Sequence, residues 1–147
     1  LQSAFPDYPV HPVTVKGALH LKSMVTLAAP DRLVAHDSEA GHACVHTISS
    51  ISSHQYGVIY VPDAAAANVV HVNGVLFVPA DCPRSKAILT EALVKYAAHL
   101  LLSLFTLESV PNPPVHTIID LDCAEARKID GAISCTAVFF PKLDESE

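Results

Sequence analysis

A mixed α/β fold is predicted by three features of the sequence. Short apolar runs alternate with helical segments, turn dipeptides sit at the joints, and the pattern occurs twice, over about residues 10–62 and 63–140. The spacing suggests repeated ββα-like units, although no residue-level repeat is visible. At 147 residues the chain has the size of one domain and is expected to form one, 1–147.

Taken in order, VHPVTV (10–15) reads as a strand, placed at an edge by Pro12, which lacks a ladder donor. MVTLAA (24–29) and RLVAH (32–36) flank Pro30-Asp31 and read as a hairpin. Asp37 or Ser38 can cap a helix across SEAGHACVHTISS, where Ala40, Cys44 and Ile48 share a face. GVIYVP (57–62) is a strand closed by Pro62-Asp63. AANVVHV (66–72) is another, and Asn73-Gly74 signals a two-residue hairpin into VLFVPA (75–80). Pro83 starts a long helix. PNPP (111–114) is a loop, HTIIDLD (116–122) a strand and CAEARK a short helical turn. AISCTAVFF reads as the final strand, and the acidic DESE tail as disordered.

Half of the residues are hydrophobic, 16% are charged, and the mean hydropathy is +0.35. That is more apolar than a domain of this size needs, which implies either a very buried architecture or a piece of a larger fold. The Leu1 start, without Met, fits a truncated or processed product. No run reaches the roughly 18–20 uninterrupted apolar residues of a membrane span. YAAHLLLSLFTL (96–107) is broken by His99 and Ser103 and reads as a core helix. Net charge is −6 with nine scattered Lys and Arg residues, which argues against a nucleic-acid partner. Four well-separated cysteines, Cys44, Cys82, Cys123 and Cys135, fit free thiols in a reducing cytosol, and no secretory signal pattern opens the chain. His42 and His46 have helical spacing but no acidic ligand set nearby, so they read as solvated.

Three segments carry candidate chemistry. In GALHLKS (17–23), His20 lies between two leucines and opposes them if the segment is extended. PDAAAANVVHVNG (62–74) has four alanines and an Asn after a turn, which suggests close backbone approach for packing or for a ligand. In DGAISC, the polar run Ser134-Cys135-Thr136 interrupts apolar sequence just after a turn signal. Small residues filling a core would explain it. A cysteine nucleophile at a strand start would also explain it, and such a nucleophile needs a partner such as His20 to carry its proton.

Together, GALHLKSMVTLAAPDRLVA, VPDAAAANVVHVNG and KIDGAISCTAVFF resemble, in that order, the C-terminal half of the dimethylarginine dimethylaminohydrolase family, over about Asp7 to Lys142. The resemblance implies a pentein fold, a propeller-like ring of five ββαβ units of which this chain is about half. It implies hydrolysis of Nω-methylated arginine to citrulline and a methylamine in the cytoplasm, with relevance to nitric oxide regulation. Cys135 would attack the guanidinium carbon and form a thiouronium, and His20 would protonate the departing amine and then activate water. Ile129 and Asp130, in the turn ending at Gly131, match the segment that helps to hold the substrate's α-amino group. No metal or organic cofactor is implied; zinc is expected only as an inhibitor bridging Cys135 and His20.

Departures from the pattern qualify this. The family chain is about twice as long, and its N-terminal half supplies the carboxylates that grip the guanidinium, an acidic partner for the histidine and an arginine for the substrate carboxylate. Residues 99–115 read as an insertion. Thr136 stands where many relatives have a second cysteine, without consequence for catalysis. Asp63, Asp81, Asp120 and Asp122 could supply carboxylates from this chain, but each reads first as a turn or surface residue. Two hypotheses therefore stand: a methylarginine hydrolase, or a catalytically incomplete half-ring that binds a partner. The expected partners are methylated arginine and either a second copy or a missing N-terminal half.

Overall fold

The computed structural model describes residues 2–4, 6–7, 9–103, 115–128 and 131–137. It is a mixed α/β structure in which one motif is used twice. In the first unit, β1 (Val25–Ala29) and β2 (Arg32–His36) form the expected hairpin across Pro30-Asp31. Helix α1 (Glu39–Ile51) then crosses over, and β3 (Gly57–Val61) returns parallel to β2. A parallel return needs such a crossover, because a tight turn can only reverse the chain. In the second unit, β4 (Val70–Val72) and β5 (Val75–Pro79) pair antiparallel, α2 (Pro83–Ser103) crosses over, and β6 (Thr117–Leu121) pairs parallel to β5. Both three-stranded sheets have their strands in chain order, so each unit is ββαβ. Short helices α3 (Ala124–Arg127) and α4 (Ile133–Thr136) follow.

Local chemistry fixes the joints. The Ser38 side chain accepts a hydrogen bond from Gly41 N–H and caps α1, with Glu39 in the first turn favouring the helix dipole. Asn73 and Gly74 both have positive φ (50° and 77°), the pair that a type I′ hairpin turn requires. Ser85, fully buried in the first turn of α2, donates to Asp63 Oδ2 at 2.6 Å and accepts from Asp63 N–H at 3.2 Å.

The strand period of two distributes the core. On β2 and β3, Leu33, Ala35, Val58 and Tyr60 join Cys44 and Val45 of α1, while Val34, Ile59 and Val61 face the other way. This second face forms one cluster with Leu76 and Val78 of β5 and with Leu89, Leu93 and Tyr96 of α2. The two units therefore share a core. On the far side of the second sheet, Phe77 and Leu121 pack with Val70, Cys123 and Ile133.

Several expectations are corrected. Residues 9–16 form no strand: Pro12 removes a donor, and most of these side chains are exposed. AANVVHV is not one strand, because Ala64–Ala67 form a 3-10 turn and only 70–72 pair. The final strand is not found where Ser134 and Cys135 lie, because Ile133–Thr136 is one helical turn; 138–140 fall outside the described residues. Residues 99–103, the start of the expected insertion, continue α2, while 104–114, and the DESE tail, fall outside the described residues. Among the described residues, no helix is long and apolar enough to cross a membrane.

Candidate active site

His20 stands at the entrance to a 3-10 turn, Leu21–Ser23, with extended backbone, and the turn closes through Ser23 N–H to the His20 carbonyl at 3.0 Å. Ala18 and Leu21 anchor this segment on the first unit's core, which leaves the His20 side chain exposed. The two flanking leucines do not share a face, since Leu19 is 74% exposed while Leu21 is half-buried. The turn after His20 breaks the extended geometry that would have paired them.

At the other end of the chain, Ile133 is buried against Val70 and Cys123 and fixes the single turn of α4. Cys135, on that turn, is exposed. The other three thiols are buried: burial pushes Cys44 and Cys123 up, and burial together with Asp81 and Asp63 pushes Cys82 up to about 11. Cys135 is thus the thiol with solvent access, as a nucleophile requires.

His20 and Cys135 line one pocket of about 340 Å³, with Leu21, Lys22, Ser23, Asn68, Ala132 and Ser134. Asn68 is 4% exposed and joins the two walls. Its Nδ2 donates to the Lys22 carbonyl at 3.2 Å, and its Oδ1 accepts Ser134 N–H at 3.0 Å. The backbone on each side is pinned by Thr26, whose hydroxyl donates to the Ala67 carbonyl at 2.6 Å and accepts Val69 N–H at 3.1 Å. Beside Cys135, Ser134 Oγ is buried with no hydrogen-bond partner among the described residues.

The sequence flags the segment 62–74 with its Asn, but gives Asn68 no role of its own. The available signal was an Asn set between four alanines and two valines: a polar side chain in so apolar a stretch must find partners once buried. Ile129, Asp130 and the Thr136 side chain fall outside the described residues.

The candidate carboxylates are engaged elsewhere. Asp63 holds Ser85, Asp81 pairs with Arg127 at 2.6 Å, Asp120 pairs with Lys86 at 2.6 Å, and Asp122 accepts Ala124 N–H. The hydrogen bond from Arg127 holds the Asp81 carboxyl below the usual carboxylate range. No described residue lining the pocket is acidic. His42 pairs with Asp37 at 2.8 Å and stacks on Tyr60 at 4.1 Å between ring centroids. Among the described residues, no group of three or more His, Cys, Asp or Glu side chains is placed to hold a metal ion.

No family model matches the chain. Over 64 residues it is 33% identical to the human protein described as "Putative hydrolase DDAH2", a match covering 44% of this chain and 22% of that protein. The bovine protein of the same description matches with the same identity and coverage. The matched stretch thus spans about a fifth of the length of these relatives, and its likeness is to a DDAH-type hydrolase.

Proposed function

We propose that the chain carries the nucleophile and the base of a hydrolase acting on Nω-methylated L-arginine. The observation that supports this most is the meeting of His20 and Cys135, from opposite ends of the sequence, on the walls of one pocket. The Cys135 thiolate attacks the guanidinium carbon, and the C–N bond to the methylated nitrogen breaks as His20 gives that nitrogen a proton. A thiouronium on Cys135 results. His20, now neutral, takes a proton from water as the water oxygen attacks the same carbon, and the C–S bond breaks to release citrulline and restore the thiolate. The partial likeness to DDAH2 and the order of the three motifs support the reading, as do the ββαβ units that a pentein ring would repeat.

A second reading rests on the pocket's charge. With no carboxylate among the described lining residues, a cationic guanidinium lacks a counter-charge from those residues. The acids would then come from another chain or a second copy, and this chain alone would be an incomplete site.

Citrulline release from asymmetric dimethylarginine by the purified chain, beside a Cys135→Ser variant, tests both. Release that disappears in the variant supports the hydrolase. No release from folded chain, alone or at concentrations where it self-associates, removes independent activity and leaves the incomplete site.

A further inference from the structure

We infer that Asn68 is the positioning residue of this site, the clamp that holds the His20 turn against the Cys135 turn; this rests on reading those two residues as a pair. The two walls are otherwise anchored on different cores. Ala18 and Leu21 pack with the first unit, while Ile133 packs on the far face of the second sheet. Asn68 lies between them and spends both ends of its side-chain amide on the join, one on Lys22 two residues past His20 and one on Ser134 beside Cys135.

The amide is chemically suited to that task. One end must donate to a carbonyl and the other must accept from an N–H, which a carboxylate, with acceptors only, cannot do. Its own placement is fixed on both sides by Thr26, and its backbone N–H is held by the Ala65 carbonyl at 3.2 Å. It is buried, and its side-chain hydrogen bonds go to the backbone of Lys22 and Ser134, so it acts on His20 and Cys135 through their neighbours.

The test uses the full chain and the alkylation rate of Cys135 by iodoacetamide, read by peptide mass spectrometry between pH 6 and 9. The three other thiols are buried, so the reagent reports Cys135. In the unaltered chain, His20→Gln is expected to slow alkylation at pH 7 by about tenfold, because a proton acceptor beside the thiol has gone. Asn68→Ala is expected to slow it similarly, and adding His20→Gln to Asn68→Ala to change it less than about twofold, since positions acting through one device are not additive. Asn68→Asp keeps the volume and the acceptor for Ser134 N–H but loses the donor to Lys22, and the same loss is expected from it in a chain whose thermal melt is intact.

Folded Asn68 variants that keep the full His20 dependence overturn the inference. So does an unaltered chain whose Cys135 rate ignores His20, for then nothing is positioned. Citrulline release is measured in parallel: coupling without release removes the proposed hydrolase and leaves the clamp standing.

Discussion

Asn68 and His71 show the two fates of a buried polar atom, paired and unpaired. Replacing Asn68 by Ala orphans Ser134 N–H and the Lys22 carbonyl, and at about 1–3 kcal/mol for each unpaired buried group the variant should be clearly less stable in urea. His71, on β4, shows the opposite situation, because its Nε2 is buried without a partner among the described residues. Burial, with a smaller contribution from His116, holds His71 below the usual imidazole range. The unfolded chain therefore binds the proton more readily, and stability due to His71 is complete above pH 7 and falls as pH drops through about 6.5 toward the lowered value. Urea midpoints at pH 7.5 and 5.5 should differ less in His71→Gln than in the unaltered chain. His20 and Cys135 could be picked out in the sequence because reactive side chains announce themselves by type. The role of Asn68 could not be read there, because it lies in partners 46 and 66 residues away.

The elements divide according to how local their causes are. Both hairpins, both long helices and the strands that follow them are legible in the sequence, since caps, turn dipeptides and apolar periods act within a few residues, whereas the parallel pairing of those strands is not. The failures occur where tertiary packing decides. Apolar β-formers around Cys135 suggested a strand, but Ile133 is drawn onto the second sheet and the chain takes one helical turn there. The four alanines favour a helical form over a strand, and with the Thr26 contacts at Ala67 and Val69 they make a 3-10 turn before the strand starts. In α1, Gly41 is buried against the end of β2, where a Cβ would collide with the His36 carbonyl. Helix propensity would reward Gly41→Ala by up to about 1 kcal/mol. A backbone collision outweighs that, and the variant should lose about 2–3 kcal/mol in chemical denaturation.

Across the whole molecule, the repetition matters more than either unit. Register makes Val34, Ile59 and Val61 of the first sheet equivalent to Phe77, Ile119 and Leu121 of the second. The first set is buried in the shared core, whereas Ile119 remains 39% exposed. Joined through that core, the units should unfold as one. Leu89→Ala, at a site with no solvent exposure, should cost about 2–5 kcal/mol. It should move helix signal by circular dichroism and tyrosine fluorescence to the same lower midpoint; separate transitions would show that the units stand alone.

The pocket's division between the two ends of the sequence also bears on synthesis. The His20 turn is synthesised before the Cys135 turn, and N-terminal structure can form while the rest is still in the tunnel. Until the segment around residue 135 has emerged, the pocket therefore lacks the wall that carries Ala132, Ser134 and Cys135. Closure of the pocket thus waits on the later of its two walls.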